Sequence, residues 1–274
     1  MGFHNEDDAS RWRQCGPVST EAPDGHRGAA LLTMTRREWL ARAAGGAAVA
    51  WSQSRTTAAA EGRAMRDAVD HLLLGAPDLD KGIAWMEERT GVRAQVGGSH
   101  PGVGTRNALL SLGERHYLEI IAPDPAQSSF NFQVDLRKLT APRLVTWAAS
   151  TLDLDDVVSR ARASGFGVFG PRDGLRVRPD GVTLKWRSAG IQAGLAEDDI
   201  DPVPFFIQWA SGSVHPSADA PAGCRLVSLD ASHPSPSKLQ DTLARLGIST
   251  TVRADQRTVL TATLETPRGR VVIS

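Results

Sequence analysis

The chain has 274 residues, 41% of them hydrophobic, which is enough to bury the core of one large domain or of two small ones. Lysine plus arginine and aspartate plus glutamate each number 31, so the net charge is zero and the basic footprint of a nucleic-acid-binding protein is absent. No apolar run approaches the ~20 residues of a membrane-spanning helix, and two cysteines, Cys15 and Cys224, are too few for a cysteine metal cluster.

Residues 1–60 are predicted to precede the folded protein. Residues 1–33 are polar and lack periodicity, which indicates a disordered tail. Arg36 and Arg37, a mildly apolar stretch at 40–51 and three alanines at 58–60 then follow in the order of a twin-arginine export signal. We therefore expect a periplasmic or otherwise exported protein whose mature chain begins near Glu61. The alternative is a cytoplasmic protein with an amphipathic or disordered tail.

A unit of one strand, one turn and one amphipathic helix occurs three times. Each copy ends in a glycine, at Gly91, Gly165 and Gly247. The copies read VDHLLLGAPDLDKGIAWMEERTG, LVTWAASTLDLDDVVSRARASG and CRLVSLDASHPSPSKLQDTLARLG. Such a repeat indicates one structural module that is used several times.

The first module spans residues 67–125. A strand at 69–75 precedes a helix that Asp78 or Asp80 can cap and that Gly91 can end in the left-handed conformation. The apolar positions of this helix fall on one face: Leu79, Ile83 and Met86. Three further strands are predicted at 92–96, 106–112 and 116–121, with a Gly/Pro loop at 97–104.

The other two modules repeat this order. The second, residues 143–210, has strands at 143–150, 166–169, 181–187 and 204–209, and residues 211–222 form a linker. The third, residues 223–274, begins at Cys224, a predicted buried residue. We therefore predict an α+β fold of three βαβββ modules, two of which pair into a cup-shaped mixed sheet with the helices outside.

Several segments resemble the vicinal oxygen chelate superfamily and, within it, the glyoxalase-like domain proteins. The resemblance covers about residues 67–274 and lies in VDHLLLGAPDLD, HPGVGTRNALLSLGERHYLEIIAPDP, RPDGVTLKWR, PFFIQW and ETPRGRVVIS. It implies paired modules around a cup that holds a small molecule. It does not fix a reaction, because one fold supports many functions.

The resemblance also implies a metal site, because catalytic members hold one divalent ion through the first and last strands of two paired modules. Its ligands here would be His71 and Glu119 in the first module and Gln208, a weak ligand, in the second. Imidazole and carboxylate suit zinc, manganese, nickel or iron. The opening strand of the second module has Thr146 and Trp147 where a further ligand is expected.

A site without metal is the alternative. His71 would then be a hydrogen-bonded histidine inside the cup, and Glu119 would need a donor, for which Arg106 and Arg115 are candidates. His100 is a further candidate ligand, which would complete a metal set from its loop. His100 and Asn107 are also candidates to bind a carbonyl or carboxylate group of a ligand, or else to satisfy the loop itself.

Aromatic residues are the remaining candidates for ligand binding. Strand alternation puts Tyr117 on the same face as Glu119. Trp147, Trp186 and Trp209 are predicted to form an aromatic wall, with core packing as the alternative for each. His215 and His233 are expected to be exposed loop residues, because prolines flank both and no nucleophile motif accompanies them.

Two functions follow from this pattern. The first is a metal-dependent enzyme of the isomerase, lyase or dioxygenase type that acts on a small oxygenated molecule. The second is a metal-free protein that binds or sequesters a small molecule in the same cup. The third module is expected to pack against the first two or against its equivalent in a homodimer.

Overall fold

The computed structural model describes residues 62–177 and 181–274. The predicted tail and export signal lie outside these residues and stay predictions. The elements in chain order are β1 (Arg63–Ala64), α1 (Met65–Ala68), β2 (Val69–Gly75), α2 (Leu79–Thr90), β3 (Gln95–His100), β4 (Thr105–Ser111), β5 (Tyr117–Pro123), β6 (Arg143–Ser150), α3 (Leu154–Ala163), β7 (Gly167–Val177), β8 (Thr183–Gln192), β9 (Phe205–Trp209), β10 (Arg225–His233), α4 (Pro236–Arg245), β11 (Ile248–Ser249), β12 (Arg253–Ala254), β13 (Val259–Thr266) and β14 (Gly269–Ile273). Short 3₁₀ turns lie at Leu136–Lys138 and Pro216–Ala218.

The first two modules share one mixed sheet of eight strands, in the order β3-β4-β5-β2-β6-β9-β8-β7. Their seam is the antiparallel pair β2–β6, in which His71 lies opposite Ala148 and Leu73 opposite Thr146. The two edge strands come close to each other, because a Cβ atom added at Gly97 on β3 would lie 2.7 Å from Nη1 of Arg176 on β7. The sheet therefore curls around a hollow, as the sequence predicts.

Helices α2 and α3 cover the outer face of this sheet. Asp78 caps α2 by accepting a hydrogen bond from the Lys81 backbone N–H at 3.0 Å, and Gly91 ends the helix at φ 77°. The predicted stripe of α2 is buried in the main hydrophobic core: Leu79, Ile83 and Met86. Anchoring both helices on the outside leaves the inner face of the sheet free to form a site.

The third module has its own sheet of four strands, in the order β12-β10-β13-β14. The Leu226 N–H donates to the Leu112 carbonyl at 2.9 Å, and residues of β10 and α4 belong to the same hydrophobic core as α2 and β5. This module therefore packs against the others within one chain, and Cys224 is buried as predicted. His233 is buried too, at 2% exposure, which corrects the expectation of an exposed loop residue.

Several strands extend beyond their predicted bounds, and two of them show why. Strand β3 continues through the predicted loop to His100, because the edge of β4 offers pairing partners such as Thr105. Strand β7 reaches Val177, because it pairs along most of β8. In the part of the chain that the structure describes, no helix is long and apolar enough to cross a membrane.

Candidate functional site

The curled sheet encloses a cavity of about 920 Å³ that both of the first two modules line. Seven residues predicted to bind a metal or ligand lie on its wall: His71, His100, Asn107, Tyr117, Glu119, Trp186 and Trp209. Strand alternation explains this selection, since on β5 the side chains of Tyr117, Glu119 and Ile121 point inward. The volume suits a small organic ligand.

Trp147 and Gln208 are not among the lining residues, which corrects two predictions. Trp147 is fully buried in the core, where its Nε1 donates to the Pro202 carbonyl at 3.0 Å. Gln208 points to the outer face, because its neighbours on β9, Ile207 and Trp209, take the inward positions. Its amide bonds the backbone of Leu152 and Leu154 at the start of α3.

A buried carboxylate, Asp70, organises one side of the cavity. Its Oδ1 accepts from His71 Nδ1 at 2.8 Å, and its Oδ2 accepts from Trp209 Nε1 at 2.9 Å and from His215 Nε2 at 3.2 Å. Consecutive strand residues normally point to opposite faces. Asp70 reaches its neighbour because the register of β2 against β6 shifts between Val69 and His71, as at a β-bulge.

The hydrogen bonds keep Asp70 ionised despite its burial. Burial alone would raise the pKa of this carboxyl group. The donors His215 and His71 outweigh burial and hold the pKa well below its usual range. Asp70 is therefore a fixed negative charge behind the cavity wall, next to His71.

Its partners also fix the proton positions on the two histidines. The Nδ1–H of His71 donates a hydrogen bond to Asp70, so a neutral His71 has an unprotonated Nε2 that can accept a proton. His215 presents Nε2–H to Asp70, while its Nδ1 accepts from the Ser217 backbone N–H at 3.3 Å. Tyr117 stacks on the His71 ring at 4.5 Å and holds it in place. Burial raises the pKa of Tyr117 well above its usual value, so its hydroxyl stays protonated.

Glu119 faces His71 across the cavity wall, as predicted. Its Oε2 lies 3.5 Å from His71 Nε2, and its Oε1 accepts from Asn107 Nδ2 at 2.9 Å. Asn107 is thus the donor to Glu119, in place of Arg106 or Arg115. The same Asn107 amide lies 3.2 Å from His100 Nε2, and His100 Nδ1 lies 2.8 Å from Thr105 Oγ1.

These contacts decide how well the site fits a divalent metal. His71 Nε2 and His100 Nε2 lie 3.5 and 3.6 Å from the two oxygens of Glu119. The Asn107 amide donates to Glu119 and lies 3.2 Å from His100 Nε2, so it stands where His100 would have to reach a shared ion. Across the seam, Ala148 lies opposite His71 and offers no ligand. Within residues 62–177 and 181–274, no three His, Cys, Asp or Glu side chains form a group that could hold a metal. The donor set therefore falls short of the three protein ligands of a catalytic metal centre.

Other functional candidates escaped sequence reasoning. His215 is 8% exposed and contacts Asp70, which corrects the expectation of an exposed loop histidine. Asp201 lines the cavity, where burial raises its pKa to about 6, and its Oδ1 accepts from the Val203 N–H. Arg172 and Arg176 line the cavity from β7. The adjacency of Asp70 and His71 in the sequence could have indicated that the two interact, but nothing in the linker around His215 indicated its contact with Asp70.

The chain is similar to a known sequence family and to solved structures. A sequence profile of the glyoxalase-like domain family matches residues 69–247. A hypothetical protein from Staphylococcus aureus has a similar structure, at 16% identity and a TM-score of 0.55, with 70% of this chain and 87% of that one covered. Methylmalonyl-CoA epimerase from Mycobacterium tuberculosis matches at 20% identity and a TM-score of 0.35, over 52% of this chain and 86% of that one. No curated protein matches the chain.

Proposed function

The chain belongs to the glyoxalase-like domain family, and on that premise we propose that its cavity binds a small oxygenated organic molecule from which His71 accepts a proton. The observation that carries this proposal is the 2.8 Å contact between His71 Nδ1 and the buried carboxylate of Asp70. A carboxylate in this position selects the tautomer with a free Nε2 and stabilises the imidazolium that forms after proton transfer.

The position of Glu119 favours a ligand that carries a hydroxyl group. Its Oε2 and His71 Nε2 are two acceptors only 3.5 Å apart, and both side chains are largely buried. Buried acceptors need a donor, and a ligand hydroxyl between them would supply one. His71 would then remove a proton from this hydroxyl or from the carbon next to it, while Asn107 keeps Glu119 in position.

The reaction class that fits is proton abstraction next to a carbonyl group. We expect the protein to catalyse exchange of the α-protons of hydroxyacetone or glycolaldehyde with deuterium in D₂O, measured by proton NMR. His71→Gln removes the basic imidazole nitrogen that accepts the proton and should slow the exchange by about 100-fold or more. The matched control is His233→Gln, since His233 is a buried histidine of the third module that bonds the Leu195 carbonyl. Equal exchange rates in the wild type and His71→Gln would refute the proposal.

A binding protein without turnover is the second candidate. The aromatic wall favours it, because Trp186 and Trp209 lie 5.5 Å apart beside the cavity and offer apolar ring surface. Such a protein would bind oxygenated ligands in isothermal titration calorimetry yet exchange no protons. In that case His71→Gln would lower the affinity for the ligand and would have no exchange activity to reduce.

A further inference from the structure

A second polar group lies in the same cavity, on strand β7. Arg172 and Arg176 both line the cavity wall, four residues apart on a strand whose side chains alternate. Arg172 is held by stacking, since its guanidinium carbon lies 3.8 Å from the centre of the Phe169 ring. Arg176 lies close to the other wall, where its charge lowers the pKa of Tyr117 against the larger effect of burial.

An indole ring fills the space between the two arginines. Gly174 lies midway between them and pairs with Trp186 on β8. A Cβ atom added at Gly174 would lie 2.3 Å from Cε2 of the Trp186 ring, a distance that no side chain can adopt without moving it. The missing side chain therefore lets the indole lie against the strand, between the positions of Arg172 and Arg176 on β7.

We propose that Arg172, Trp186 and Arg176 form a subsite for a planar carboxylate, in which the ring of the ligand stacks on the indole and its carboxylate pairs with a flanking guanidinium group. This subsite deepens the proposed function and rests on the cavity being a ligand site. Guanidinium groups match the two oxygens of a carboxylate, and an indole face matches an apolar ring.

The charges on the cavity walls set the orientation of this ligand. The opposite wall carries the Glu119 carboxylate and, behind His71, the ionised Asp70. These groups repel an anion but accept hydrogen bonds from a hydroxyl group. The ligand class is therefore a planar acid whose carboxylate lies at β7 and whose hydroxyl-bearing end lies at His71. A neutral sugar or a simple aldehyde would bring no negative charge to the two arginines.

The test compares two probes of equal shape, 2-naphthoate and its neutral amide 2-naphthamide, by calorimetric titration of the full chain. Wild-type protein should bind the acid about tenfold or more tightly than the amide. The double variant Arg172→Gln, Arg176→Gln should lose this preference. Arg187→Gln is the matched control, because Arg187 lies on the neighbouring strand and pairs outside with Asp155 at 2.9 Å. It should keep the preference.

Two more variants separate the parts of the proposal. Gly174→Ala should weaken both probes, because it displaces the indole, and urea unfolding checks that the variant still folds. His71→Gln should keep the preference for the acid, so a failure of proton transfer leaves this result intact. Equal affinity for the acid and the amide, binding of neither probe, or an unchanged preference in the double arginine variant would overturn the subsite.

Discussion

His215 Nε2 lies 3.2 Å from Asp70 Oδ2, although 145 residues separate the two in the chain. His215 comes from the segment between the second and third modules, and Asp70 from the first strand of the first module. The connection after β9 therefore belongs to the site. Because Asp70 in turn holds His71, His215 positions the proposed proton acceptor from outside the cavity sheet.

Replacing His215 tests this relationship. His215→Leu removes one donor from a buried carboxylate, so the free energy of unfolding at pH 7 should fall by about 2 kcal/mol. A carboxyl group with a lowered folded-state pKa adds stability above the pH at which the unfolded aspartate titrates, about 3.9, and this stability is lost as the pH falls through the folded-state pKa. The deficit of the variant should therefore shrink in strong acid.

Urea unfolding at pH 7 and at successively lower pH measures this effect. His215→Gln keeps an N–H group that can reach Asp70 and should restore part of the stability, which a mere loss of packing would not allow. A deficit that stays the same at all pH values would show that His215 acts through packing alone.

Asp201 should show the opposite dependence on pH. Burial raises its folded-state pKa to about 6, above the value of about 3.9 in the unfolded chain. The folded state then binds the proton more tightly, so stability from this group is full below pH 3.9 and is lost as the pH rises through 6. Asp201→Asn keeps an oxygen for the Val203 N–H. It should stabilise the protein at pH 8 by about 2 kcal/mol and at pH 4 very little, as urea unfolding at both pH values would reveal.

Regular patterns in the sequence predicted the fold, and seven of the nine predicted site residues line the cavity. The helix caps, the apolar stripe of α2 and the glycine that ends it are local signals, and they gave the βαβββ order. Alternation along β5 correctly put Glu119 and Tyr117 on one inward face. The inward position of His71 was predicted from the superfamily resemblance, whereas its contact with Asp70 depends on the irregular pairing of β2 with β6.

Long-range contacts account for what was missed. The linker position of His215 resembles any exposed loop, and only the folded chain brings this residue to Asp70. Gln208 is a plausible ligand by analogy with the superfamily, yet its place in the alternation of β9 directs it to α3. From its sequence position, Trp147 could equally fill a core or line a cavity, and in the structure it is fully buried in the core.

Two glycines of the turn between β3 and β4 form a matched pair for testing the cavity rim. Gly102 and Gly104 have φ angles of 77° and 81°. A Cβ atom at Gly102 would meet nothing within 4 Å, whereas one at Gly104 would lie 1.9 Å from the Ser129 carbonyl oxygen. Gly102→Ala should therefore cost about 1 kcal/mol of backbone strain, and Gly104→Ala at least about 3 kcal/mol.

Urea unfolding of both variants measures the difference, with the wild type as reference. Because His100 lies at the end of β3, next to this turn, Gly104→Ala should also weaken ligand binding, while Gly102→Ala should not. Similar unfolding free energies for the two variants would contradict the close packing of Gly104 against residues 129–130.

The metal content of the protein follows from the contacts of Asn107. Its amide donates to Glu119 and lies 3.2 Å from His100 Nε2, so His100 could join His71 Nε2 and Glu119 as a third ligand only after the amide moved away. We therefore expect protein purified without added metal or chelator to contain far less than one zinc, manganese, nickel or iron per chain by elemental analysis. Treatment with EDTA should leave the free energy of unfolding unchanged, and His71→Ala should not alter the metal content. If the protein instead contained one metal per chain and His71→Ala removed it, the hypothesis of a metal-dependent enzyme would be correct. The Asn107 amide would then have to move away from His100 to free a third ligand.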